Sequence, residues 1–169
     1  LFSGRLSDLI GRKLLLIIVA FFYAASALLS AYSFSYEMLY ISRMLGGVAF
    51  GAALVLAPIY IAEISTPQNR GRLVTLQQLN IVFGFFAAFF SNYLFNKYNG
   101  GNSSFLSDMN VWRWMLGVEF IPAVLYFILL FFIPKSPRWL YLNDKKSDCE
   151  KILVKLHGDQ QSKSEMSSI

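Results

Sequence analysis

Residues 58–78 read Pro58-Ile59-Tyr60-Ile61-Ala62-Glu63-Ile64-Ser65-Thr66-Pro67-Gln68-Asn69-Arg70-Gly71-Arg72-Leu73-Val74-Thr75-Leu76-Gln77-Gln78. An apolar run ends at an acid, a short polar gap carries two arginines, and a second apolar run opens with a pair of amides. Such a gap is where a chain leaves hydrocarbon, turns and re-enters it, because charges pair at the interface at far lower cost than inside. Residues 63–72 are therefore read as a turn between two membrane spans.

The runs on either side support that reading. Residues 14–36, 44–62 and 73–96 contain no Asp, Glu, Lys or Arg, and residues 114–134 contain Glu119 alone. Crossing a bilayer takes roughly 17–25 mostly apolar residues. One such run would suit the core of a soluble protein, but four in a chain of 169 residues do not. Charged residues make up 15% of the chain, against about 25% in typical soluble domains. The expected fold is an all-α membrane protein with spans at 14–33, 38–62, 73–96 and 111–133. Residues 1–13 form a basic connector, and Pro134 and Pro137 stop the last span. Residues 135–158 lie outside the bilayer and carry an amphipathic helix at 147–157. Its start has the S-x-x-E form of a capping box at Ser147 and Glu150, Ile152, Leu153 and Leu156 share a face, and Gly158 suits a C-cap. Residues 159–169 read as a flexible tail.

The net charge of +5 has a topological cause. Arg5, Arg12, Lys13, Arg70, Arg72, Lys135, Arg138 and the C-terminal lysines collect on one side, whereas Lys97 and Arg113 lie on the other. By the positive-inside rule the first side is cytoplasmic. No separate basic domain is present, so a nucleic-acid partner is not expected. The single Cys, Cys149, allows no disulfide or CxxC site. No metal-ligand spacing and no G-x-x-x-x-G-K-[ST] loop occurs, so no metal, cofactor or enzymatic activity is expected. The lone His157 reads as a surface residue, and Asn102-Ser103-Ser104 as an external N-x-S sequon. The chain opens inside a motif, without an initiating Met, and is read as a fragment of a longer protein.

Four motifs carry chemistry. Gly4-Arg5-Leu6-Ser7-Asp8-Leu9-Ile10-Gly11-Arg12-Lys13 is a tight basic turn in which Asp8 can accept from backbone amides and pair with a cation. Arg43-Met44-Leu45-Gly46-Gly47-Val48-Ala49-Phe50-Gly51 places Gly47 and Gly51 one turn apart, which allows a neighbouring helix to approach closely. An Arg inside a span costs about 2.5–3.5 kcal/mol on insertion scales, so a partner is expected for Arg43, the alternative being that it snorkels to the headgroups. Glu119 is the one acid inside a span of this chain. The other two motifs are the Pro58 to Arg72 stretch and Pro134-Lys135-Ser136-Pro137-Arg138-Trp139-Leu140.

The first motif is similar to the G-x-x-x-D-x-x-G-R-[KR] loop of the major facilitator superfamily. Pro58-x-Tyr60-x-x-Glu63 with Arg70-Gly71-Arg72, and the Pro134 motif, resemble the sugar porter family within it, whose last motif reads P-E-S-P-R-[FWY]-L. Val111-Trp112-Arg113-Trp114 and Ile121-Pro122-Ala123 resemble the run into that family's sixth helix. The bacterial xylose-type sugar–proton symporters look closest. The resemblance implies helices 3–6 of twelve, part of the N-terminal six-helix half. It implies a monosaccharide and a proton as partners in a bacterial inner membrane, together with missing N-terminal helices and a C-terminal half. It matches Gln78 to a sugar-binding amide, whose donor and acceptor suit a hydroxyl; an interhelical hydrogen bond is the alternative for the same side chain. Gln77 and Asn80 share a different face of that helix and suit a neighbouring helix or the solute. Arg43 matches a proton-coupling arginine that faces an acid on the first helix. Gly4, Arg5, Asp8, Gly11, Arg12, Glu63, Arg70, Arg72 and Arg138 match a cytoplasmic gating network. Two residues depart from the pattern: Lys135 replaces the Glu of the last motif, and Phe85 stands where a second sugar-binding amide occurs. The expected function is secondary transport of a monosaccharide by alternating access with proton symport. The alternatives are a facilitator of another small polar or anionic solute, or a truncated, non-transporting membrane protein.

Overall fold

The computed structural model describes residues 7, 10–99, 111–143 and 146–157. Its helices are α1 (Arg12–Ala31), α2 (Tyr36–Ile64), α3 (Pro67–Asn99), α4 (Val111–Gly117), α5 (Phe120–Phe132), α6 (Pro137–Leu142) and α7 (Lys146–His157). Among the described residues there is no strand. Four stretches are long and apolar enough to cross a membrane: Arg12–Ala31, Tyr36–Ile64, Gln68–Lys97 and Trp112–Phe132. At 1.5 Å per residue, α1 alone is about 30 Å long, the thickness of a bilayer core.

Local chemistry sets the helix ends, and it moves several of them from their expected places. Ser35 is extended, and its side chain accepts from the Met38 N–H at 3.2 Å, so α2 starts at Tyr36, ahead of the expected Met38. Glu37 in the first turn favours the positive end of the helix dipole. The turn expected over residues 63–72 shrinks to Ser65 and Thr66. Pro67 opens α3, where its missing N–H costs nothing, and the Asn69 and Arg70 N–H groups both donate to the Thr66 carbonyl at 3.0 Å. Arg70 and Arg72 therefore lie on the first turns of α3. The expected span 111–133 breaks at Val118–Glu119. Pro122 has no N–H for the Val118 carbonyl, and its ring crowds that carbonyl. The ladder tightens to Ile121 N–H donating to Val118 at 3.2 Å, then resumes with Ala123 donating to Glu119 at 3.3 Å. Pro58 lies inside α2 without ending it. Outside the spans, α7 starts at Lys146, so Ser147 is inside its first turn and is not its cap.

The core forms between α1, α2 and α5, from Leu15, Leu16, Val19 and Ala20, Ala49, Leu56 and Tyr60, and Leu130. Alongside it runs a polar seam between α1 and α2. Ser26 Oγ donates to the Ser42 carbonyl at 2.6 Å. Ser42 Oγ donates to the Leu39 carbonyl at 2.8 Å and lies 2.9 Å from Ser30 Oγ, which leaves Ser30 as donor to Ser42. Ser26 and Ser30 lie one turn apart on α1, with Ser33 just past its end, and Ser42, Gly46 and Ala49 recur at i, i+4, i+7 on α2, so two stripes of small residues meet. The expected role of Gly47 and Gly51 is corrected here. Neither has anything within 4 Å of where a side chain would start, whereas a Cβ on Gly46 would overlap the Ser26 hydroxyl.

Helix α3 packs beside α2 and α4, yet none of its described side chains is buried. Arg113 fastens α4 to the α1–α2 link: its Nη2 donates to the Ser33 carbonyl at 2.9 Å, and its guanidinium lies over the Phe34 and Trp112 rings. A second cluster lies between α6 and α7, with Leu140 and Cys149 buried and Trp139, Tyr141 and Ile152 around them. Ser136 caps α6 by accepting from the Trp139 N–H at 3.3 Å. Cys149 Sγ donates to the Pro137 carbonyl at 3.3 Å. Burial pushes the Cys149 thiol up, which keeps it in the unreactive protonated form.

The seam gives a direct test. Gly46→Ala should displace the Ser26 hydroxyl from its acceptor and destabilise the protein by about 1–3 kcal/mol. Gly47→Ala and Gly51→Ala should not, as their surroundings are open. Thermal unfolding of the three variants in detergent checks the ranking; equal midpoints would refute it.

Candidate solute-binding faces and charge pairs

A cavity of about 730 Å3 lies between α1, α2, α3 and α5. Its walls are mainly apolar, with Tyr23, Tyr60, Tyr126, Gln77 and Asn80 as the polar-bearing side chains. Volumes of this order are typical of small-molecule sites. Gln77 is half-buried, and its Oε1 is buried with no hydrogen-bond partner. A buried amide oxygen without a donor is costly, so it marks a place where a donor from outside this set of residues is wanted. The structure brings Gln77 and Asn80 together, as their spacing implies. Gln78 is not part of this cavity. It is exposed, and Phe85, two turns further on, is exposed on the same face of α3.

Arg43 finds its partner inside the chain. Its Nη1 lies 3.1 Å from Glu119 Oε2, and both side chains are about 40% exposed (40% and 39%). The resemblance matched Arg43 to an arginine that faces an acid on the first helix, and Glu119 was the one candidate within this chain; the break at Val118–Glu119 presents Glu119 to α2. Arg43 is seven residues into its span and Glu119 seven into its own. Each is thus about 10 Å from its helix start.

A second pair lies at the opposite end of the bundle. Arg12 Nε is 3.1 Å from Glu63 Oε1, with side-chain exposures of 9% and 7%. Ser136 Oγ donates to Glu63 Oε2 at 2.6 Å, and Arg12 Nη1 donates to the Ser7 carbonyl at 3.1 Å. The cluster ties the start of α1 and the end of α2 to the cap of α6. Two neighbouring bonds reinforce it: Tyr60 OH donates to the Pro134 carbonyl, and Lys13 Nζ to the Phe131 carbonyl, each at 2.8 Å.

This changes the expected gating network. Glu63 was matched with Arg70 and Arg138, but both of its oxygens are taken by Arg12 and Ser136. Arg70, Arg72 and Arg138 are exposed, and among the described residues none of them forms an ion pair with Glu63. Arg138 follows Pro137 on the outer side of α6, and the two α3 arginines ride on a helix turned to the surface. Ser136 is the residue that sequence reasoning missed. Its place before Pro137 marks it as a helix cap, but nothing local signals that the same hydroxyl also serves a glutamate on α2. Lys135 is exposed and takes no part. Gly4, Arg5, Asp8, the Asn102 sequon, Gly158 and the tail lie outside the described residues, as do the side chains of Leu153, Leu156 and His157. Among the described residues, no group of three or more His, Cys, Asp or Glu could hold a metal ion.

The cluster predicts a graded response. Ser136→Ala removes one strong bond to a buried carboxylate and should cost about 1.5–3 kcal/mol. Glu63→Gln removes the carboxylate from a buried ion pair and should cost more, about 3–5 kcal/mol. Arg138→Gln should change stability little. Thermal unfolding of the three variants tests this order.

The whole sequence, residues 1–169, matches the family model described as "Sugar (and other) transporter". The galactose–proton symporter of Escherichia coli K12 is 40% identical over 154 residues, covering 91% of this chain and 31% of that protein. The arabinose–proton symporter of Bacillus subtilis is 36% identical over 168 residues, covering 99% of this chain and 35% of that protein. The chain thus spans about a third of the length of the curated relatives it matches. Among solved structures, the partially occluded, inward-open xylose transporter XylE of E. coli superposes with a TM-score of 0.88 at 30% identity, over 98% of this chain and 42% of that one. With this match and the four apolar spans, the chain is a multi-pass membrane protein of major facilitator fold, and it belongs to the sugar (and other) transporter family.

Proposed function

We propose that the chain forms part of a secondary active transporter that moves a monosaccharide across the membrane by alternating access, with proton symport. The observation that carries this reading is the Arg43–Glu119 pair. It is an ion pair within apolar spans, at a helix break, in a chain 40% identical to a galactose–proton symporter. A charge pair inside apolar spans has few partners to choose from, so Arg43 and Glu119 can part only where a helix movement brings them new ones. Gln78 offers a donor and an acceptor to sugar hydroxyls from the open face of α3. The Arg12–Glu63–Ser136 cluster joins three segments at the other end and biases the balance between inward-open and outward-open forms. With positive charge collected there, that end faces the cytoplasm of a bacterial cell. Nothing in this mechanism calls for an enzyme, a metal or a nucleic acid.

A second reading, a facilitator for a less hydroxylated solute, is favoured by Phe85. That ring gives the Gln78 face an apolar patch where an amide would bind a second hydroxyl.

Uptake of radiolabelled xylose, glucose and galactose by the full-length protein, with and without a protonophore, separates the two. Accumulation abolished by the protonophore supports symport; uptake that persists unchanged, or no sugar uptake, supports the second reading. Gln78→Ala should raise the half-saturating sugar concentration roughly tenfold, the cost of one lost polar partner. If Gln77→Ala has that effect and Gln78→Ala does not, the solute sits on the cavity side of α3. Arg43→Leu should impair accumulation more than exchange, and equal loss of both would argue against coupling.

A further inference from the structure

A smaller cavity, about 310 Å3, lies at the start of α1 beside the link between α5 and α6. Gly11, Lys13, Leu14, Ile17, Lys135 and Trp139 form most of its wall. Neither the solute faces nor the two ion pairs use it. Its shape is set by Gly11, whose φ of +97° suits glycine and whose bare Cα admits the indole; a Cβ there would lie 3.2 Å from Trp139 Cε2. Lys13 gives one N–H to the Phe131 carbonyl at 2.8 Å, which holds its ammonium at the C-terminal end of α5 and leaves two donors. Lys135 is exposed, and among the described residues no carboxylate pairs with either lysine. Leu14 is 51% exposed and begins the charge-free run of α1. Cationic donors therefore sit above an apolar wall at the depth where hydrocarbon starts.

We propose that this cavity binds an anionic phospholipid. Lys13 and Lys135 take the phosphate through charge-assisted bonds. Trp139 lies at the headgroup level, where indole is favoured, and Leu14 and Ile17 meet the first methylenes of an acyl chain. A soluble anion would use the lysines but gain nothing from Leu14 and Ile17. Basic pockets between spans on the positive side of a membrane protein suit anionic headgroups for the same reason. The site depends on a departure noted above. A Glu in place of Lys135 would set an anion against the phosphate and cancel the charge of Lys13. The proposal rests on α1 crossing the membrane and not on which solute is carried.

The test is to reconstitute the full-length protein with equimolar phosphatidylglycerol and phosphatidylcholine and count retained lipids by native mass spectrometry. Phosphatidylglycerol should be retained in preference. Lys135→Gln should lower that retention about fivefold, the value of one lysine near an anionic surface. Lys135→Glu should lower it further, Lys135→Arg should preserve it, and excess inorganic phosphate should leave it unchanged. Equal retention of the two lipids by the unaltered protein would overturn the proposal. So would equal phosphatidylglycerol retention across the Lys135 series, or displacement by inorganic phosphate, which would make this a soluble-anion site. The preference of the unaltered protein is read without any substitution, so a variant that misfolds does not shield the proposal.

Discussion

Hydrocarbon has no hydrogen-bond partner to offer a backbone amide or carbonyl, and the architecture follows from meeting that demand within the protein. Helices do so along their length and fail at their ends and at internal prolines. At several such failures the structure supplies a side chain. Ser35 caps α2 and Ser136 caps α6. At the far end of α5 the Phe131 and Pro134 carbonyls, beyond the reach of the helical ladder, take Lys13 and Tyr60. Lys13 and Tyr60 come from other helices, so there satisfying the backbone and fastening the bundle are one act.

Association between the spans needs a further cause, because lipid tails are as apolar as leucine. Between α1 and α2 that cause is visible. Serine, glycine and alanine bring the helices close, and each hydroxyl of the seam has a partner across it or on its own helix. Helix α3 lacks such a stripe and buries no described side chain, although it carries the amides on which the functional reading depends. Its exposure matches its chemistry: Gln78 and Phe85 on one face and Gln77 and Asn80 on another are surfaces for something other than α1, α2 and α5.

What was legible in the sequence tracks how local the cause is. Four spans follow from runs with at most one charge, and hydropathy needs no knowledge of neighbours. The true start of α3 was also local, in Thr66-Pro67, but the charges of Arg70 and Arg72 masked it by reading as a turn. The break before Pro122 was carried by one residue in an otherwise uniform apolar run. The pairings were a different matter. Which of Arg12, Arg70 and Arg138 reaches Glu63 depends on where α1, α3 and α6 stand around the end of α2, and no spacing along the chain encodes that. Likewise Gly46 and Gly47 are neighbours in sequence, and only the position of Ser26 decides which one is indispensable.

The two ion pairs differ in the respect that matters for a moving machine. Arg12 and Glu63 are almost fully buried, and Glu63 also accepts from Ser136 while Arg12 also donates to the Ser7 carbonyl. Breaking a buried pair held by several bonds is costly, so this one opens only if a large rearrangement provides water or new partners at the same moment. Arg43 and Glu119 are each about two-fifths exposed, so fewer contacts from this chain hold that pair in place. The first has the energetics of a latch that holds one state until the whole end of the bundle moves. The second has those of a contact that a new partner can rearrange alone. On the proposed reading a transporter uses both kinds, and they stand at opposite ends of α2: the first joins it to α1, the second to the segment formed by α4 and α5.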